Sequence, residues 1–177
     1  MPRLAPAANA ALDAAVLAAN GTVVVYATDG GNELGQAAER IEAAVAAARG
    51  LGFPFMLTAR AENHIRGNPD LEDTAVRLQA FEEAGADVLY PPGLRNVDEI
   101  RAVCDAVSRP VNVLALGGLS FDEITAAGAR RVSVGGGLTW VALKAMVDAA
   151  EAIRDNGDFS ALAARLPLGD WLARPLE

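Results

Sequence analysis

The chain is short of several residues that common chemistries require. It has one lysine, Lys144, against fourteen arginines. A Schiff-base aldolase or a phosphate-binding P-loop would have to use Lys144, which lies inside the helical pattern TWVALKAMVDAAEAIRD, so both classes are set aside. The single histidine, His64, excludes a His-rich metal site or a His-pair mechanism. The single cysteine, Cys104, excludes an intramolecular disulfide and a thiolate metal cage. Its helical spacing with Val97, Ile100 and Val107 reads as a small buried thiol in preference to a nucleophile. No run approaches the ~18 apolar residues of a membrane span, so a cytoplasmic location is expected. Basic residues number 15 against 23 acidic ones, a net charge of −8, which argues against a nucleic-acid or anionic-membrane surface.

What is present suits a single domain, residues 1–177, with a core: 52% of the residues are hydrophobic. Much of that fraction is alanine, a strong helix former. The segment MPRLAPAANAALDAAVLAAN carries Asp13 inside its apolar run and reads as an N-terminal helix over 1–20, not a signal peptide. Five short runs follow that read as strands: GTVVVY (21–26), FPFMLTA (53–59), ADVLYP (86–91), PVNVLAL (110–116) and RRVSVG (130–135). Their apolar content is nearly continuous, as parallel strands buried on both faces require. Helical patterns alternate with them. Asp70 is placed to cap a helix over 71–84, and NVDE at 96–99 and SFDE at 120–123 have capping-box spacing. A helical tail is expected over 157–177.

Strands that recur roughly 20 to 33 residues apart with short connections imply a parallel sheet with right-handed crossovers. The two candidates are an open doubly wound sheet and a TIM-type (β/α)₈ barrel. The first strand is not followed by a dinucleotide-binding glycine motif. The glycine-rich runs LGGLS (116–120) and SVGGGLTW (133–140) favour the barrel, in which such loops approach anions with backbone N–H groups. About five βα units are legible, so an incomplete barrel is expected.

Ligand chemistry in barrels collects at the carboxyl ends of strands. Those ends supply Thr28 and Asp29, Arg60 and Glu62, Tyr90 to Pro92, Asn112, and the run from Leu114 to Gly118. Arg60 stands out, because a guanidinium can clamp a carboxylate or phosphonate through two parallel hydrogen bonds. From the residues alone a structural pair with Glu62 or Asp87 stands beside that reading. Glu62 is placed to orient Arg60, while Asn63 and His64 read as turn residues and Asp87 as structural. Glycines 135–137 serve either an anion or close strand–helix packing. The candidate substrate-binding set is Arg60, Glu62, Asn112, Gly117 and Gly118. No catalytic residue and no metal ligand is assigned.

The runs LTARAENHIRGNPDLEDTAVRLQAFEEAGADVLYPPGL, VSRPVNVLA and RRVSVGGGL, in this order and spacing, resemble the second half of the isocitrate lyase/phosphoenolpyruvate mutase superfamily, most closely a bacterial branch of it. The resemblance covers about residues 34 to 165. It implies a (β/α)₈ barrel that exchanges its last helix between subunits. The implied chemistry makes or breaks C–C or P–C bonds in small 2-oxo-acid or phosphoenolpyruvate-like substrates through a Mg²⁺-held enolate. Arg60 falls on the family's arginine for the substrate's carboxylate or phosphonate.

The chain also departs from that pattern. The family's metal-binding aspartates, serine-glycine loop and gating loop belong to the half of the barrel not seen here. The fourth strand's acidic pair is replaced by Val24, Val25 and Tyr26, and Pro92 stands where related lyases carry a glutamate. An enolate needs a cation or dense donors. The isolated chain is therefore expected to be a truncated or degenerate member without a metal site or activity of its own. The alternative is a non-catalytic half-barrel that binds a small anion or serves as an oligomerisation module. A different phosphate-binding barrel enzyme is disfavoured by the scarcity of lysine. The apolar residues of the segment 138–154 imply a homodimer or larger assembly.

Overall fold

The computed structural model describes residues 15–19, 22–51, 55–164 and 169. The chain divides into two compact units, Met1–Val134 and Gly135–Glu177.

The first unit opens with strands β1 (Ala15–Ala19) and β2 (Thr22–Thr28), followed by helix α1 (Leu34–Arg49) and strand β3 (Phe55–Arg60). A single 3₁₀ turn, His64–Arg66, leads to α2 (Leu71–Glu83), and then come β4 (Val88–Tyr90), α3 (Val97–Ala106), β5 (Asn112–Leu114), α4 (Phe121–Ala126) and β6 (Arg131–Ser133). Strands β2, β3 and β4 are parallel, as are β5 and β6. The strands form a four-stranded sheet in the order β1-β2-β3-β4 and a two-stranded sheet of β5 and β6, linked by an isolated parallel bridge between Leu89 and Val111. Alternating strands and helices on a parallel sheet are the building plan of a TIM-type barrel.

The expected helix over 1–20 is corrected within the described residues. Ala15–Ala19 form a strand that pairs antiparallel with β2, Ala15 opposite Tyr26 and Ala19 opposite Thr22. Alanine's helix preference amounts to a few tenths of a kcal/mol per residue, less than five residues gain by pairing with an otherwise open sheet edge. Residues 1–14 lie outside the described set. Across the other regions the expected strands form, but β4, β5 and β6 are only three residues each.

One face of the sheet packs against the helices. Leu57, Ala59, Leu89, Val111 and Val113 meet Ile41, Leu78, Phe81, Ile100, Val103 and Ile124 in a single buried cluster. Helix α1 contributes Ala37, Ile41, Ala44 and Ala48 at 3.6-residue spacing. Helix α2 starts at Asp70, whose carboxylate accepts the N–H groups of Glu72 and Asp73, which satisfies two of the helix's orphan donors. The box at Ser120 and Glu123 forms reciprocally. At the other box Asn96 accepts from Glu99 N–H, but the Glu99 carboxylate takes the N–H of Arg95.

The second unit holds α5 (Gly137–Asn156) and a 3₁₀ turn, Ser160–Ala163. Helix α5 ends at Gly157 in the left-handed conformation, and Leu138, Trp140, Val141 and Met146 are exposed. The helical tail expected over 157–177 is confined, among the described residues, to that 3₁₀ turn and a single helical residue at 169.

Candidate anion site at the strand ends

Strand alternation decides which side chains face away from the helices. The pairing of Thr28 with Arg60 and of Arg60 with Tyr90 sets these on one face. The Leu89–Val111 bridge puts Tyr90 beside Asn112, and Asn112 pairs with Arg131. Thr28, Arg60, Tyr90, Asn112 and Arg131 thus form one row on the face opposite the helices. Side-chain contacts agree with that placement. Arg60 Cζ lies 5.4 Å from the Tyr90 ring centroid, within cation–π range. Asn112 donates to Ser133 Oγ at 3.1 Å.

Arg60 closes β3, and its side chain is 31% exposed. Its Nε is 3.0 Å from Glu62 Oε1, but the N–H does not point along that contact, so the pair is an ion pair and not a hydrogen bond. The other Glu62 oxygen accepts from Arg66 Nε at 2.6 Å. One buried carboxylate is thereby held between two guanidiniums. Among the described residues no hydrogen bond engages the two terminal nitrogens of Arg60. The alternative partner, Asp87, is committed elsewhere: it pairs with Arg49 at 2.7 Å and accepts the Leu57 N–H at 2.8 Å, at the opposite end of the strands.

Beneath Glu62 lies Asp29, which follows β2 and is fully buried. Its carboxylate accepts the N–H of Gly31 at 2.9 Å and of Glu62 at 3.3 Å, and it pairs with Arg77 at 3.3 Å. Arg77 also donates to Asp73 at 2.9 Å and to the Asn32 carbonyl at 2.8 Å. Burial opposes the Arg77 charge, but the Asp73 hydrogen bond and the charges of Asp73 and Asp29 outweigh it and raise its pKa. Asp29 therefore staples the β2–α1 turn to the backbone that carries Glu62. Its position just past a strand end is legible in the sequence; its partner on α2 is not.

Asn63 and His64 form the turn, as expected. Asn63 Nδ2 lies 2.6 Å from Thr74 Oγ1 and 3.2 Å from the carbonyls of Asn68 and Asp70, which locks the segment between β3 and α2. Gly117 and Gly118 follow β5 with φ of +88° and +86°. A Cβ at either would meet nothing within 4 Å, so backbone conformation and not crowding calls for glycine there. Two clefts, of about 350 and 620 Å³, open beside Leu114 and Leu116. Gly117 lines the smaller and Arg60 lines neither, so Arg60 addresses an open surface.

The described residues do not fit Mg²⁺. Among the described residues no three acidic, histidine or cysteine side chains converge. The two buried carboxylates at the strand ends are already held, Asp29 by Arg77 and Glu62 by Arg60 and Arg66. A magnesium ion needs carboxylate oxygens free to enter an octahedral shell. No helix among the described residues is long and apolar enough to cross a membrane.

Comparison with known proteins agrees with the fold. Residues 9–154 match the family model for phosphoenolpyruvate phosphomutase. The chain is 35% identical over 124 residues to the oxaloacetate decarboxylase of Paraburkholderia xenovorans, a match covering 68% of this chain and 40% of that protein. A crystal structure from Burkholderia cenocepacia, described only as a lyase/mutase, is 47% identical with a TM-score of 0.79, over 86% of this chain and 59% of that one. Oxaloacetate acetylhydrolase, 24% identical with a TM-score of 0.69 over 84% of this chain and 55% of that one, shares the fold. The chain spans less than half the length of the curated relatives it matches. Within the phosphoenolpyruvate mutase/isocitrate lyase superfamily, this chain belongs to the phosphoenolpyruvate phosphomutase family.

Proposed function

We propose that the strand-end face binds a small carboxylate or phosphonate anion through Arg60, and that the chain serves the C–C or P–C bond chemistry of 2-oxo acids typical of its superfamily. One observation carries this reading. Arg60 ends β3 on the face opposite the helices, rests against Tyr90 and is held by Glu62, with no hydrogen bond to its terminal nitrogens among the described residues. A purely structural arginine would spend those donors on the protein. Gly117 and Gly118 extend the proposed substrate surface from the loop after β5, and Asn112, fully buried on β5, supports it from beneath.

Among the described residues of this face the positive charge comes from guanidiniums. The proposed contribution to an enolate-forming reaction is therefore anion binding and orientation. The remaining parts would come from residues beyond the described ones or from a second chain. Calorimetric titration with oxalate tests the reading. Arg60→Lys keeps the charge but loses the fork and is expected to weaken binding by roughly tenfold, while Arg101→Lys, on α3, leaves it unchanged. Equal binding by the two variants would refute the assignment.

A second reading rests on α5, whose Leu138, Trp140, Val141 and Met146 are exposed. Apolar residues at this density on one helix suit an association surface, so a non-catalytic oligomerisation module is the alternative. A monomer by light scattering at micromolar concentration would count against it.

A further inference from the structure

We propose that the cleft between the His64–Arg66 turn and the loop after β4 is a second ligand site, which takes a small carboxylate with an apolar tail and anchors it on Arg95. The inference does not depend on the reading of Arg60, which lines neither cleft beside β5.

The walls come from two connections at the carboxyl ends of neighbouring strands. His64, Ile65 and Pro69 stand between β3 and α2, and Gly93 and Arg95 between β4 and α3. The space they enclose is about 620 Å³, a usual size for a small-molecule site. Gly93 lets the two walls meet. Its φ is +111°, and a Cβ there would lie 2.9 Å from His64 Cβ and 3.3 Å from Ile65 Cγ2. Leu114, Leu116 and Arg95 line both this cleft and the neighbouring one of about 350 Å³, whose other walls include Ile100, Val113 and Ile124. Arg95 thus stands on the border between a mixed cleft and an apolar one. Both walls are fixed in advance. Asn63 ties one to Thr74, and the Glu99 carboxylate holds the Arg95 N–H at 2.7 Å on the other, so binding orders little of the chain.

Three features set the ligand class. Arg95 is exposed, and among the described residues no hydrogen bond or ion pair engages its guanidinium. Glu99, the carboxylate in the lining, spends its two oxygens on the Arg95 N–H and on Asn96 Nδ2. His64 Nε2 is buried without a hydrogen-bond partner, a state that costs free energy until a ligand atom meets it. Most of the remaining lining is apolar. Ile65 and Leu116 are exposed there, so a hydrocarbon tail would take their surface out of water. One guanidinium and one imidazole nitrogen suit a single carboxylate. A polyanion is disfavoured by Asp98 and Glu99 in the first turn of α3, and a neutral hydrophobe leaves both polar groups unanswered.

The test is titration of the full chain with hexanoate, acetate and 1-hexanol, followed by backbone amide chemical shifts. Hexanoate should move the amides of Ile65, Gly67, Arg95 and Leu116 and bind at least about tenfold more tightly than acetate. Arg95→Met should weaken hexanoate roughly fivefold and leave 1-hexanol unchanged. Should Arg95→Met fail to fold, Arg95→Gln is read in its place. Arg60→Lys should leave hexanoate binding intact, which separates this site from the strand-end anion site whether or not that one binds oxalate. Equal affinity for hexanoate and acetate, or no loss in Arg95→Met, would overturn the proposal. So would shifts spread along residues 138–154, the mark of partition onto an exposed apolar helix. Shifts at the cleft that follow protein concentration without hexanoate would assign it to a second copy of the chain, and would overturn the proposal as well.

Discussion

Asp29 is the residue whose loss should reach furthest. It is fully buried, and its carboxylate is shared among Arg77, the Gly31 N–H and the Glu62 N–H. Breaking a buried ion pair by removing one partner costs about 3–5 kcal/mol. Here the loss is moderated, because Arg77 keeps Asp73 and the Asn32 carbonyl. Asp29→Asn preserves the shape and one acceptor oxygen but withdraws the charge, so about 2 kcal/mol is expected. Asp29→Ala also leaves two backbone donors unpaired, at about 1–3 kcal/mol each, so about 4 kcal/mol is expected. Urea unfolding followed by circular dichroism reads these values. With a slope of about 2 kcal/mol per molar, the midpoints should fall by about 1 M and about 2 M. Paired with Arg77→Met, Asp29→Asn should be markedly less than additive, since both remove one interaction. The same variant should weaken oxalate binding, because the backbone of Glu62 loses its anchor. An Asp29→Asn midpoint within about 0.2 M of wild type would refute the claim that this carboxylate ties the two strand-end loops together.

Burial pushes the Cys104 thiol up to about 11, so at pH 8 the thiolate population is roughly a hundredfold below that of an ordinary cysteine. Alkylation by iodoacetamide should accordingly be at least tenfold slower in native than in urea-unfolded protein, and equal rates would contradict the raised thiol pKa of this partly buried cysteine. Gly128 has a φ of +111°, and a Cβ there would lie 2.8 Å from Cys104 Cβ. Gly128→Ala should therefore cost about 2 kcal/mol in urea unfolding. Adding Cys104→Ala should not restore stability, since alanine keeps the clashing carbon, whereas Cys104→Gly should recover part of it.

The sequence by itself determined a good deal of this protein. Continuous apolar runs such as VVVY and FMLTA can be buried only between two layers, and the spacing of helices between them leaves a parallel sheet as the economical arrangement. The caps at Asp70 and Ser120 form as the spacing requires, because a cap is a contact between residues two or three apart. Arg60 is legible as a strand-end guanidinium, and Glu62 as its neighbour, for the same local reason. Other features were settled only in three dimensions. Ala15–Ala19 is helical by composition yet pairs with β2, because an open sheet edge outweighs a weak local preference. Asp29 finds Arg77 across 48 residues, and Arg131 reaches Thr58 across 73. Neither partner lies within a turn or a helical repeat of the other, so no spacing announces them. They meet because the packing of α2 over the strand ends and the order of the strands bring distant positions together, a property of the assembled fold that no short stretch of chain contains.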